Sequence, residues 1–151
     1  MSAVRLKAAA LLLDMDGARR RLAQLPPTRW ALVTSASRRV AEHRLLHAGL
    51  PLPRLLVCAG DVVRGKPDPE PYLLAASRLG LAPADCLVFE DAPAGIASAL
   101  QAGCQVVQMG GTRRYDDRLK GWLRDWRGIE IEVASDGLHL HLPAPQPAEA
   151  G

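Results

Sequence analysis

Two acidic clusters sit where apolar runs end. Asp14 and Asp16 flank one methionine directly after Leu11-Leu12-Leu13, and Glu90-Asp91 directly follow Cys86–Phe89. If these runs lie side by side, Asp14, Asp16 and Asp91 converge, and clustered carboxylates are costly unless a cation neutralises them. Hard oxygen donors with little His or Cys nearby suit Mg²⁺, which keeps some of its waters and accepts phosphate oxygens. Thr34 and Ser35 end a third apolar run, Trp30–Val33, and their hydroxyls can donate to a phosphate. Lys66 lies in the loop Arg64-Gly65-Lys66-Pro67-Asp68-Pro69, whose prolines restrict it, and can offset both carboxylate and phosphate charge. Carboxylate, cation, hydroxyl and ammonium together are the components of phosphoryl transfer.

The elements that must position these residues follow from periodicity. Strand-length apolar runs are expected at Ala8–Leu13, Trp30–Val33, Leu55–Cys58, Cys86–Phe89 and Cys104–Met109. They alternate with helical segments at Arg19–Leu25, Ser37–Ala48, Glu70–Leu79 and Pro93–Ala102, the last three followed by Gly49, Gly80 and Gly103 as stops. Continuous apolar strands alternating with helices predict an α/β fold, a mainly parallel sheet covered on both faces. Ligands of such sheets lie beyond the carboxyl ends of the strands, where Asp14, Asp16, Thr34, Ser35, Glu90 and Asp91 fall. Ile129–Val133 and Leu138–Leu142 alternate around Ser135-Asp136-Gly137, a β-hairpin pattern. The Pro/Ala-rich tail, residues 143–151, is expected to be disordered.

The segments around these residues resemble the four motifs of haloacid dehalogenase (HAD)-like hydrolases. Leu11-Leu12-Leu13-Asp14-Met15-Asp16-Gly17 resembles the first and Ala31-Leu32-Val33-Thr34-Ser35 the second. Lys66-Pro67 resembles the third and Leu87-Val88-Phe89-Glu90-Asp91-Ala92-Pro93-Ala94-Gly95-Ile96 the fourth. The wording is similar to the sugar-phosphatase and β-phosphoglucomutase branch, over roughly residues 8–110. The resemblance implies a three-layer Rossmann-like core with a five- or six-stranded sheet, spanning residues 1–142 as one domain. It implies that Asp14 is a nucleophile forming an aspartyl-phosphate and Asp16 the general acid and base. It further implies that Asp14, the Asp16 backbone carbonyl and Asp91 hold Mg²⁺, with Glu90 a ligand or its neighbour. Thr34 or Ser35 would bind the phosphoryl group, and Lys66 would stabilise the nucleophile and the transferring group. In the family a flap and, in this branch, a helical cap follow the first motif. Here Gly17 runs into Ala18-Arg19-Arg20-Arg21-Leu22, so both are read as missing. The expected activity is hydrolysis of small organic phosphate monoesters, such as sugar or glycerol phosphates. The alternatives are a weak or inactive core that binds metal or phosphate or serves a partner, and, less favoured, a phosphomutase.

Composition narrows the remaining classes. The 151 residues are 48% apolar and 23% charged, enough for one packed core, and the net charge of +3 is mild. At 4% aromatic residues there is no basic–aromatic stripe for stacking bases, so no nucleic-acid partner is expected. No apolar run approaches the ~20 residues of a membrane span. The run after Arg5 and Lys7 stops at Asp14 without a cleavage pattern; a cytoplasmic protein acting on a phosphorylated metabolite is expected. Cys58, Cys86 and Cys104 are odd in number and widely spaced, which predicts buried free thiols. His43 and His47 read as a solvated helix face, His139 and His141 as solvent-facing strand residues, and Trp122 and Trp126 as one helical face. Arg19–Arg21 with Arg38 and Arg39 could form a positive rim attracting phosphorylated substrates. A homodimer across an open site is a further expectation.

Overall fold

The computed structural model describes residues 3–14 and 25–144. Asp16, Arg19–Arg21 and most of the helix expected to carry them lie outside the described residues, as does the tail from residue 145 onward. Two sheets form. The strands are β1 (Val4–Ala8), β2 (Ala10–Leu13), β3 (Trp30–Val33), β4 (Leu56–Val57), β5 (Cys86–Glu90), β6 (Gln105–Met109), β7 (Gly121–Leu123), β8 (Glu130–Ala134) and β9 (Gly137–Leu142). The helices are α1 (Arg38–His47), α2 (Glu70–Leu79) and α3 (Pro93–Ala102).

The larger sheet has six parallel strands in the order β4-β3-β2-β5-β6-β7. Its central strands are apolar without alternation because both faces are covered. Leu12, Val33 and Val88 pack on one face with Tyr72 and Ala75 of α2 and Ile96 and Ala99 of α3. Leu11, Leu13, Leu32 and Phe89 pack on the other with Ala41 and Leu45 of α1. The helices stop as expected: Gly80 and Gly103 take positive φ directly after α2 and α3, a conformation that strongly favours glycine. The result is an α/β Rossmann-like core of six parallel strands.

The second sheet, ordered β1-β9-β8, completes the cover over the α1 face. The predicted hairpin is β8–β9, joined at Ser135-Asp136. Its partner β1 was not expected. The run Ala8–Leu13, expected as one strand, divides at Ala9, where the chain changes sheets. Ala8 pairs antiparallel with Leu138, Ala10 pairs parallel with Cys86, and between them the Ala9 N–H donates to the Asp85 carbonyl at 2.7 Å. The expected helical pairing of Trp122 and Trp126 is also corrected. Trp122 lies in β7 and donates to the Gly110 carbonyl at 2.8 Å, whereas Trp126 packs against Phe89 with ring centroids 4.6 Å apart. The three cysteines are buried and free, and no helix among the described residues is long and apolar enough to cross a membrane.

In β9, Leu138, Leu140 and Leu142 are buried while His139 and His141 are half-buried on the opposite face. Leu140→Ala should therefore cost about 2–5 kcal/mol of unfolding free energy through lost burial and a cavity. His141→Ala should cost under about 1 kcal/mol. Urea titration of both variants checks the alternation; equal losses would contradict it.

Candidate active site

Strand register decides which polar residues meet. Leu13 of β2 pairs with Phe89 of β5 and Leu32 of β3, so Asp14 emerges level with Glu90 on one side and Val33 on the other. Asp14, Glu90 and Asp91 can each place a carboxylate oxygen within 4.8 Å of the others. Asp14 is half-buried, Glu90 fully buried and Asp91 exposed. Asp16, expected in the same cluster, lies outside the described residues.

Lys66 joins these carboxylates to β3. Its Nζ donates to the Val33 carbonyl at 3.0 Å and to Glu90 Oε2 at 2.9 Å, and lies 3.8 Å from Asp14 Oδ1. The loop that carries it is fixed from several directions. The Glu70 carboxylate accepts the Val63 and Arg64 N–H groups at 2.9 and 2.7 Å, and the buried Ser98 hydroxyl of α3 donates to the Asp68 carbonyl at 2.6 Å. The Lys66–Pro67 peptide bond is cis.

Two further residues complete the surroundings of Glu90, and neither was singled out from the sequence. The fully buried Tyr72 of α2 donates its hydroxyl to Glu90 Oε2 at 2.5 Å, and its ring lies beneath the Lys66 ammonium, 5.2 Å from centroid to Nζ. Gly95, in the first turn of α3, leaves the space that the Glu90 carboxyl occupies; a methyl group there would overlap its Cδ and both oxygens. Burial pushes the Glu90 carboxyl up to about 7; the Lys66 charge opposes this, and the Asp14 charge adds to it. Burial and the neighbouring Glu90 charge hold the Tyr72 phenol well above its ordinary value, so it remains a hydrogen-bond donor. Seen from sequence, Tyr72 is an ordinary apolar-face residue of a helix, and only the Pro-Asp-Pro-Glu-Pro run before it marks the segment as unusual.

These groups line a cavity of about 270 Å³ that also includes Thr34, Ser35 and Arg44. Thr34 is buried, and its Oγ1 accepts the Ala36 N–H at 3.1 Å. Ser35 is exposed to the cavity. The expected arginine rim is corrected in part. Arg38 donates to the Leu56 carbonyl and to Asp61, both at 3.0 Å, which ties it to β4 and the turn beyond. Arg39 lines a separate, larger depression of about 760 Å³ across α1, beside Glu42, Leu46 and Leu52, and does not line the cavity of Asp14 and Glu90. Among the described residues, Arg44, not selected from the sequence, is the arginine that reaches the carboxylate cavity. His43 and His47 are exposed with stacked rings 6.2 Å apart, and neither joins the acidic cluster.

The chain is similar in sequence and fold to known proteins. The family model described as haloacid dehalogenase-like hydrolase matches residues 3–103. Hexitol phosphatase A of Escherichia coli is 58% identical over 78 residues, covering 52% of this chain and 36% of that protein. Glycerol-1-phosphate phosphohydrolase 2 of Saccharomyces cerevisiae is 40% identical over 99 residues, covering 61% of this chain and 40% of that protein. This chain thus spans less than half the length of either relative. A hydrolase structure from Pseudomonas syringae superposes with a TM-score of 0.63 at 27% identity, over 74% of this chain and 56% of that one.

The fit of Glu90 against Gly95 is testable. Gly95→Ala should destabilise the protein by about 1–3 kcal/mol, because the carboxyl it strikes is held by Lys66 and Tyr72 and cannot retreat freely. In a Glu90→Ala background the same substitution should cost little. Thermal or urea unfolding of the four proteins in this double-mutant cycle measures the coupling; additive losses would mean that the two residues do not constrain each other.

Proposed function

The chain belongs to the haloacid dehalogenase-like hydrolase family, and on that premise we propose that it is a Mg²⁺-dependent phosphatase acting through an aspartyl-phosphate. The observation that carries this reading is the convergence of Asp14, Glu90 and Asp91 beside Lys66 at the carboxyl edge of a parallel sheet. The donor set fits the metal: among the described residues the group is three carboxylates without imidazole or thiolate, a hard, oxygen-only set. Asp14 and Asp91 would hold the ion, with Glu90 offering Oε1 while Oε2 stays on Lys66 and Tyr72. When bound, Mg²⁺ would neutralise the cluster and lower the repulsion between an attacking carboxylate and a phosphate dianion.

The chain's own residues account for the rest. Asp14 attacks phosphorus, the ester oxygen leaves with a proton, and water then cleaves the acyl phosphate to release inorganic phosphate and restore the carboxylate. Asp16, two residues on, is assigned the proton transfers in both steps. Lys66 holds the Asp14 carboxylate in place and lends positive charge to the transferring group. Ser35 is the better phosphate donor of the two hydroxyl residues, because it is exposed to the cavity whereas Thr34 is buried. Substrates would be small phosphate monoesters of the kind named for the relatives, such as hexitol or glycerol phosphates.

A second reading, a catalytically weak core, is favoured by one feature. Only residues 14–29 separate β2 from β3, too few for a domain of its own, so residues 1–142 are read as a single core without a cap. Substrate binding energy outside the phosphoryl group is then small, and that energy normally lowers the barrier.

Two measurements test the reading. Mg²⁺ at about a hundredfold over its Kd should stabilise the protein by about 2.7 kcal/mol through linkage. Asp91→Ala should abolish that gain; equal thermal midpoints with Mg²⁺ and with chelator would remove the metal site. Hydrolysis of a generic aryl phosphate should fall by roughly 10³-fold or more in Asp14→Asn with folding retained. Undiminished turnover in that variant would exclude Asp14 as nucleophile, and a parent without turnover that still binds Mg²⁺ would favour the weak-core reading.

A further inference from the structure

We infer that Arg44 is a second cation of the phosphoryl site, binding the outer oxygens of the phosphate opposite Lys66; this rests on the phosphatase reading above. The argument begins with charge. Four acidic residues, Asp14, Asp16, Glu90 and Asp91, are assigned to the site, against which Lys66 and a divalent cation would bring three positive charges. A phosphate dianion entering the cavity therefore arrives without charge compensation. Lys66 lends its charge to the phosphate, but its N–H donors are already shared among protein oxygens. An ammonium has three donors, and here one is on the Val33 carbonyl, one on Glu90 and the third is directed at Asp14.

Helix geometry brings one more cation to the same place. α1 starts directly beyond the Thr34–Ala36 turn, with Ser37 as its N-cap accepting the Val40 N–H at 3.3 Å. Arg44 is exposed, seven positions after Ser37 and three after the buried Ala41, so it borders the face of α1 that Ala41 and Leu45 bury. Helical side chains lean toward the N-terminus of their helix, so the long Arg44 stem runs back toward Ser35 and Ala36. It lines the 270 Å³ cavity together with Asp14, Ser35 and Lys66. Its side chain makes no ion pair or hydrogen bond among the described residues, unlike Arg38, whose guanidinium is held by Asp61 and the Leu56 carbonyl. A guanidinium lining an anion pocket presents paired N–H donors that match phosphate oxygens. Beyond Ser35 and Arg44, the outer wall is Ala36, Ala92 and Ala94, which offer the phosphate no side-chain donor.

The test uses the full chain with Mg²⁺ and inorganic phosphate as the probe, read by calorimetric titration. The parent should bind phosphate, Arg44→Ala should bind it roughly tenfold more weakly, about 1.4 kcal/mol, and Arg44→Lys should recover part of the loss. Arg39→Ala, which changes the neighbouring depression by the same charge, should match the parent, and all three variants should keep the parent's thermal midpoint. Parent-like affinity in Arg44→Ala would overturn the assignment. Equal weakening in Arg39→Ala would also overturn it, because the effect would then be diffuse surface charge. An Arg44→Ala variant with parent-like phosphate affinity but a raised KM confined to esters with a second acidic group would place Arg44 on the leaving group instead. A parent that binds Mg²⁺ but no phosphate would sink both this inference and the phosphatase reading.

Discussion

Glu90 is a carboxylate at the end of a completely buried strand, and the arrangement around it satisfies the demands of that position. A carboxyl group so placed needs donors, a compensating charge and room. The donors are Tyr72 from α2 and Lys66 from the loop before it, the charge is the Lys66 ammonium, and the room is the missing side chain of Gly95 in α3. One side chain thereby ties β5 to both helices on that face and, through Lys66, to the end of β3 at Val33. The same contacts orient the groups assigned to phosphoryl transfer, so the stability of this corner and the geometry of the site are difficult to vary independently.

The parallel sheet supplies the other half of the arrangement. Every strand of the larger sheet ends at the same edge, and residues immediately after the apolar runs are therefore gathered there regardless of their separation in the chain. The β2–β5 pairing brings Asp14 beside Glu90 across 76 positions, and the β2–β3 pairing brings Thr34 and Ser35 to the same rim. Burial at the strand end pushes the Glu90 carboxyl up, and the Asp14 charge brought beside it adds to that cost of ionisation. In the proposed reading a hard cation would relieve that cost.

The opposite face of the sheet shows how a small chain completes its core. α1 covers part of it, and the three-stranded sheet β1-β9-β8 covers more, with Leu138, Leu140 and Leu142 turned inward and charged or imidazole side chains outward. Lys7 and His139 meet Asp136 at the outer surface, at 3.1 and 2.8 Å, and keep that face polar. The chemistry-bearing residues lie at the strand ends, so this cover can differ without altering the site.

Read alone, the sequence determined the alternation of strands and helices, the parallel sheet, the β8–β9 hairpin and the strand ends at which Asp14, Thr34, Ser35, Glu90 and Asp91 fall. These are consequences of periodicity and of local stop signals such as Gly80 and Gly103, which are written within a few residues of each other. The change of sheets at Ala9 was not legible, because it depends on the Asp85 carbonyl and on pairing with β9 at the far end of the chain. Nor were the roles of Tyr72 and Gly95 around Glu90, since a buried tyrosine and a helical glycine look like core and spacer until a carboxyl group is packed against them. The arginines were resolved by three-dimensional contact. Arg38, Arg39 and Arg44 share one helix and one charge, yet Asp61 holds the first, a neighbouring depression takes the second, and the third reaches the carboxylate cavity. Side-chain direction and long-range partners decide that outcome, and neither is a property of local sequence.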